Sequence, residues 1–125
     1  MNLLLDSHIL LWSIDEPNKL TKKEYEALNS LDNLKFISAA SVWELQVKST
    51  LGKLKLPENF KEFLENKAFS KLSVDFSHAH AAGKLPLLHK DPFDRMLISQ
   101  ALLEDFTIIT RDPIFQRYGV KVLEA

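Results

Sequence analysis

The sequence predicts an α/β fold, a three-layer α/β/α arrangement around a central parallel sheet of about five strands. Three observations carry this. The chain opens on Leu3-Leu4-Leu5, an unbroken apolar run that ends in Asp6-Ser7-His8. A run of this kind reads as a strand buried on both faces, which is the condition inside a parallel sheet. Short runs like it then alternate with segments of helical periodicity along the chain. Finally, 125 residues suit one hydrophobic core, so the chain is read as a single domain over 1–125.

Each element has a local reason. After the first strand, Ile9, Leu10, Leu11, Trp12 and Ile14 predict a short apolar helix, and Pro17 to Leu20 a turn. Thr21 with Glu24 three residues on forms a capping box, which predicts a helix to about Ser30 with Tyr25 and Leu28 inward. Asp32-Asn33 is a turn, and residues 35–38 predict the second strand. Ser38 or Ser41 is positioned to cap a helix that continues to Leu51, where Gly52 ends it. Leu56-Pro57 opens a helix with Phe60, Phe63 and Leu64 on one face. Residues 71–76 predict the third strand, and Ser77 caps a short helix that Gly83 stops. Asp91-Pro92 opens a strong helix through Glu104, with proline at the first helical position. Residues 107–110 predict the fourth strand, Asp112-Pro113 one more helical turn to about Tyr118, and residues 120–123 the fifth strand. No repeat, linker or low-complexity segment interrupts this alternation.

Composition sets limits on function. Apolar residues make up 46 % and charged residues 26 %, an ordinary globular balance. A net charge of −1 creates no global field toward nucleic acid or membrane, so polyanion binding must rest on local patches or a metal. The absence of cysteine removes disulfides and thiolate metal sites, and fits a reducing cytoplasm. No apolar run approaches the roughly 20 residues of a membrane span, so no membrane partner is expected. No basic region precedes the first apolar run, so no signal peptide is read.

The acids are the unusual feature. In a parallel sheet with right-handed crossovers, strand C-termini and helix N-termini share one edge. In open α/β sheets that edge is where ligands bind. Asp6 ends the first strand, and Asp112 follows the fourth by two residues. At about 100° per residue, Glu44 shares a side of its helix with Ala40, Trp43, Val47 and Leu51. Asp94 shares a face with Leu97, Ile98 and Ala101, one turn from its helix N-terminus. A carboxylate on an apolar stripe is costly unless something pairs with it.

Taken singly, most of these acids have a structural explanation. Asp6, Asp91 and Asp112 suit helix N-caps, and Asp94 favours the positive end of a helix dipole. Glu44 has no comparable explanation. Taken jointly, like charges in low dielectric repel and raise one another's pKa, and a divalent cation resolves that conflict. All-oxygen ligands suit Mg²⁺, with Mn²⁺ as a substitute. Of the histidines, His78 and His80 face apart on a helix, while His8 and His89 lie near the edge and read as hydrogen-bonded structural residues. Zinc, which prefers nitrogen and sulfur ligands, is not the expected ion.

The acids fall in four segments: L-L-L-D-S-H at 3–8, I-S-A-A-S-V-W-E-L at 37–45, H-K-D-P-F-D-R at 89–95 and I-T-R-D at 109–112. With Phe115, Tyr118 and Val120 to Leu123, these segments make the chain similar, over essentially its whole length, to the PIN-domain nucleases. Within them it resembles the VapC-type toxins of toxin–antitoxin pairs, and H-x-D-P-F-D-R marks one subgroup. The resemblance implies a PIN-like sheet with an acidic pocket at its C-terminal edge, built from Asp6, Glu44, Asp94 and Asp112. Asp91 is left as a cap or outer ligand. It also implies Mg²⁺-dependent hydrolysis of RNA to 3′-hydroxyl and 5′-phosphate ends, a cognate antitoxin that blocks the pocket, a homodimer and a cytoplasmic location.

An acidic pocket repels RNA, so nearby cations must hold the backbone. Arg95 and Arg111 stand next to acids in sequence and are assigned as substrate contacts, with Lys48, Lys53 and Lys55 as further candidates. Ser38 and Thr110 are positioned either to bond metal-held water or simply to end strands. Two other readings stay open. One is a PIN-like nuclease in RNA processing outside a toxin–antitoxin pair. The other, from a different class, is a receiver-like phosphoacceptor module. Against the latter, no second acid stands beside Asp6, and the lysine expected after the last strand is missing.

Overall fold

The structure is a computed structural model and describes residues 1–123. Five strands form one parallel sheet: β1 (Asn2–Leu5), β2 (Leu34–Ser38), β3 (Ser70–Leu72), β4 (Thr107–Ile109) and β5 (Lys121–Val122). Their order is β3-β2-β1-β4-β5. β1 lies at the centre, with Leu3 paired to Lys35 on one side and to Thr107 on the other. This explains the opening run, because Leu3, Leu4 and Leu5 are all fully buried. Leu3 and Leu5 join the core with Ile9, Leu10, Leu28, Leu45 and Phe60. Leu4 points to the opposite core, with Leu97, Ile98, Ile108 and Phe115. Alternate side chains of one strand thus anchor two helical layers.

One layer holds α1 (Ser7–Asp15), α2 (Lys22–Asn29), α3 (Ala39–Thr50) and α4 (Phe60–Leu64). The other holds α6 (Pro92–Glu104), α5 (Phe76–Lys84) packed on it, and a 3-10 segment over Pro113–Tyr118. Asp6 caps α1, Ser38 caps α3, Asp75 caps α5 and Asp112 caps the 3-10 segment. Each cap closely follows a strand, so these helical N-termini gather at the sheet's C-terminal edge. From β1 the chain steps outward to β2 and β3, then returns past β1 to β4 and β5. The direction of winding therefore switches between β1 and β4, where open α/β sheets leave a crevice. Receiver domains carry the strand order 2-1-3-4-5, so the observed order sets the phosphoacceptor reading aside.

Several boundaries differ from those predicted. β3 ends at Leu72 rather than Phe76, because Asp75 accepts from the His78 amide and starts α5. Phe76 is then the first helical residue and 96 % exposed, Ser77 is not the cap, and Gly83 lies inside the helix. The alternation of Leu72, Val74 and Phe76 imitates a strand at a sheet edge with no partner beyond it. In α2 the inward residue beside Leu28 is Glu24, fully buried, while Tyr25 is exposed. In α3 the predicted inward Trp43 is 64 % exposed and Leu51 is exposed too, whereas Glu44 is buried.

The central place of β1 makes a stability prediction. Leu4→Ala removes a fully buried side chain between two layers, and we expect a loss of about 2–5 kcal/mol in urea denaturation. A loss below roughly 1 kcal/mol would contradict a closely packed core at that position.

Candidate metal centre

Asp6 follows β1 at the switch in strand order. Its backbone amide donates to Ile109 O at 3.1 Å, which ties it to β4. Its carboxylate accepts from the Ile9 amide at 2.9 Å and from Thr110 Oγ1 at 2.5 Å. Thr110 Oγ1 also accepts from the Asp112 amide at 3.1 Å. One hydroxyl thus couples the acids that follow β1 and β4. Burial raises the Asp6 pKa; its two hydrogen bonds and His8 oppose that, and the nearby Glu44 charge adds to it. Asp6 thus caps α1 with one oxygen, holds Thr110 with the other, and lies close enough to Glu44 for their charges to couple.

Glu44 lies one turn into α3, directed across the edge by the buried stripe of Ala40, Ser41 and Leu45. It is 3 % exposed. Its Oε2 accepts from Lys48 Nζ at 2.5 Å, an i,i+4 pair on the same helix. Its Oε1 is buried with no partner, and so is Ser41 Oγ one turn earlier. Among the described residues these are the two side-chain atoms in that condition. Two unpaired polar atoms on one helix face, beside further acids, call for a polar or ionic occupant.

Asp94 stands in the first turn of α6, its amide held by Asp91 Oδ1 at 2.9 Å. Burial pushes its pKa up to about 6, with the charges of Asp91 and Glu44 adding to the rise and the His89 hydrogen bond opposing it. His89 Nε2 is 2.8 Å from Asp94 Oδ2. Asp112 caps the 3-10 segment through Oδ1, 3.0 Å from the Ile114 amide, and is exposed. Ligand atoms of His89, Asp94 and Asp112 lie within 4.8 Å of one another. The charge coupling of Glu44 to both Asp6 and Asp94 links the two halves of the cluster. The residues fit a divalent cation: oxygen donors dominate, two acids sit above their ordinary pKa, and Glu44 Oε1 awaits a partner.

The predicted cationic contacts fare differently. Arg95 is buried and serves as a clamp. Its Nη2 donates to Ala82 O at 2.9 Å and Leu85 O at 2.8 Å, and its Nη1 to Pro86 O and His89 O, both at 3.0 Å. With those donors used on backbone carbonyls, Arg95 does not present a free guanidinium to a phosphate. Arg111 is also engaged. It donates to Glu24 Oε1 at 2.6 Å and Oε2 at 3.2 Å, and to Lys19 O at 2.5 Å. Its guanidinium stacks 4.5 Å from the Trp12 ring. Burial pulls the Glu24 pKa up, but the bonds from Arg111 and Thr21 outweigh it and leave it lowered. Arg111 remains partly exposed in a cleft it shares with Asp6, His8, Trp12 and Asp112. Lys48 is half-buried on Glu44, while Lys53 and Lys55 are exposed. Ser38 is committed to capping α3 and to Gln100 Oε1 at 2.6 Å.

Sequence reasoning read His89 as a structural histidine near the edge and Glu24 only as the acid of a capping box. The H-x-D-P-F-D-R segment contained the signal for His89, since its histidine lies five residues before Asp94 on a loop leading into the same helix. Glu24 carried no such signal, because its partner is 87 residues away.

The Asp94 pKa yields a pH prediction for the metal-free protein. Its ordinary value is 3.8 and its folded value about 6, so the folded state holds this proton more tightly than the unfolded chain. Stability should therefore fall as pH rises between those values and level off above them. Asp94→Asn should lack that part of the slope. Urea denaturation of both proteins in chelator, from pH 4 to 7, checks this; parallel curves would contradict it.

Comparison with curated proteins finds no match. Solved structures with the same fold include VapBC2 from Rickettsia felis bound to a DNA fragment from its promoter. It has a TM-score of 0.75 at 21 % identity, covering 98 % of each chain. DNA-bound VapBC from Salmonella typhimurium gives a TM-score of 0.73 at 19 % identity, covering 98 % of this chain and 97 % of that one. FitAcB from Neisseria gonorrhoeae gives 0.70 at 21 % identity, covering 98 % and 96 %. At these identities the likeness establishes the fold. The family model for the PIN domain matches residues 3–121, nearly the entire length, and the chain belongs to the PIN-domain family.

Proposed function

We propose that this chain is a divalent-metal-dependent endoribonuclease acting as the toxin of a toxin–antitoxin pair. The observation that carries the reading is the buried, unpaired Oε1 of Glu44, whose charge couples to Asp6 and to Asp94, beside the close grouping of His89, Asp94 and Asp112. PIN domains are nucleases that generally use divalent metals, and the acids here are all present. The structural neighbours that are toxin–antitoxin complexes support a protein antitoxin as partner. A homodimer and a cytoplasmic site of action complete the reading; among the described residues no helix is long and apolar enough to cross a membrane.

Asp6, Glu44, Asp94 and Asp112 would hold Mg²⁺, or Mn²⁺ in its place. When bound, such an ion lowers the pKa of a water and offsets charge on a phosphodiester. The chain's own groups do the rest. Ile9 N and Thr110 fix the Asp6 carboxylate, and Asp91 fixes the Asp94 backbone. Buried Glu44 is a charge anchor. Asp112 is exposed, with one oxygen on the Ile114 amide, and is the carboxylate best placed to take a proton from attacking water. Lys48, Lys53, Lys55 and the outer face of Arg111 steer the RNA backbone toward the acids.

Purified, antitoxin-free protein should cut RNA with Mg²⁺ or Mn²⁺, and a chelator should stop it. The substrates tested must include structured tRNA and rRNA, since one loop is a sufficient target. Asp6→Asn and Asp94→Asn should each lower cleavage by at least about 100-fold, an effect of roughly 2.7 kcal/mol or more on the barrier. Asp91→Asn should keep most activity, because asparagine caps a helix as well as aspartate does. Equal loss from Asp91→Asn would place that residue among the ligands, and no cleavage under any divalent ion would remove the enzymatic reading.

A further inference from the structure

Four carboxylates do not account for His89. Its imidazole lies inside the acid cluster, with Nε2 2.8 Å from Asp94 Oδ2 and within 4.8 Å of an Asp112 oxygen. We propose that His89 is a direct nitrogen ligand of the cation, beside Asp94 and Asp112, and that the site consequently favours Mn²⁺ over Mg²⁺. This rests on the metal-site part of the proposed function and leaves open which RNA is cut.

The first argument is preorganisation. His89 ends the loop that joins α5 to α6, and two side chains fasten that loop. Tyr118 Oη accepts from the Leu88 amide at 3.1 Å and the His89 amide at 2.9 Å, and donates to Pro86 O at 2.6 Å. Arg95 binds the carbonyls of Ala82, Leu85, Pro86 and His89. The buried Arg95 and the half-buried Tyr118, both spent on one short loop, hold the histidine backbone against α6. A solvent-facing histidine has no use for such support, whereas a ligand does, because metal geometry tolerates little slack.

The second argument is spacing. Neighbouring ligands of an octahedral ion with bonds of roughly 2.1 Å lie about 3 Å apart. The same bonds around a tetrahedral ion of the zinc type place ligands about 3.4 Å apart. The 2.8 Å between Nε2 and Oδ2 is a hydrogen-bond distance, close enough for both atoms to reach one octahedral ion after small shifts. Without an ion, a shared proton bridges the two atoms; an entering cation takes its place with little movement of either side chain.

The third argument is the far side of the site. Glu44 Oε1 is buried and unpartnered, and its charge is felt at Asp94 as well as Asp6. An ion held by His89, Asp94 and Asp112 would lie within the field of this buried charge. First-row transition ions accept imidazole more readily than Mg²⁺, which keeps to oxygen; Mn²⁺ is the weakest nitrogen binder among them but still exceeds Mg²⁺ in this respect. A nitrogen in the set thus shifts preference from Mg²⁺ toward Mn²⁺.

The test is pulsed EPR on the full chain loaded with Mn²⁺ alone. Nitrogen-14 modulation from a directly bound imidazole is expected, changing to the nitrogen-15 pattern when histidine is labelled. His89→Asn should still bind Mn²⁺ through the acids, lose that modulation, and reduce the Mn²⁺-over-Mg²⁺ preference by about tenfold. Bound Mn²⁺ without nitrogen coupling in the wild type overturns the proposal, and so does coupling that persists in His89→Asn, which would assign it to His8. Absence of any bound Mn²⁺ overturns it together with the metal site. The readout needs no RNA, so the two readings fail separately. Nitrogen coupling in a protein that cuts no RNA supports this ligand and removes the nuclease; cleavage with bound Mn²⁺ and no coupling removes only this ligand.

Discussion

Repulsion among acids gathered at one sheet edge is the constraint that the surrounding structure answers. Asp6 is carried there by a strand with no freedom to move, since Leu3, Leu4 and Leu5 are locked into both cores. Glu44 is carried there by a helix that buries it while exposing Trp43. A fold under pressure only for stability has little reason to keep a buried carboxylate oxygen unpaired beside two other acids. The polar bonds at the edge soften the conflict: Thr110 and the Ile9 amide on Asp6, Lys48 on Glu44, His89 on Asp94. Burial still holds the Asp6 and Asp94 carboxyls above their ordinary pKa, and the neighbouring acid charges add to that rise.

The arginines beside the acids in sequence stabilise the frame. Arg111 satisfies the buried Glu24 and stacks on Trp12, which fastens α2 and the end of α1 to the turn after β4. Removing Arg111 would leave the buried Glu24 carboxylate without its charged partner, held only by the Thr21 amide, a costly state. Arg95 fastens the loop that delivers His89. The division of labour is physical: planar, multiply donating guanidiniums hold carbonyls and carboxylates in fixed geometry. The exposed Lys53 and Lys55, beyond α3, are the cations left for the proposed RNA contact.

Local chemistry made much of the fold legible in the sequence. The leucine run specified a central strand, Thr21 with Glu24 specified a helix start, and Asp91-Pro92 specified another; all three stand where the residues placed them. The parts misread depend on partners far along the chain. Val74 and Phe76 alternate like strand residues, and only the Asp75 cap distinguishes them. Glu24 reads as a surface acid until Arg111, 87 residues later, is brought to it. Arg95 reads as a free cation because backbone carbonyls leave no trace in sequence. Glu44 and Asp94 were legible as inward-facing acids because such a carboxylate breaks helical periodicity, and that argument needed no distant partner. The bond from Thr110 to Asp6 spans 104 residues, and no local pattern announces it.

The central claim is that Glu44 belongs to a cation site and not to a structural ion pair, and thermal melts of wild type and Glu44→Gln with and without Mg²⁺ test it most directly. Lys48 is partly exposed, so water can take up its charge when the pair is broken, and the substitution also removes a buried charge facing Asp6 and Asp94. Without metal the variant should therefore melt close to the wild type. A hundredfold excess of Mg²⁺ over its Kd should stabilise the wild type by about 2.7 kcal/mol, and the variant should lose most of that gain. A variant that is clearly destabilised without metal and keeps the full Mg²⁺ shift would contradict the account.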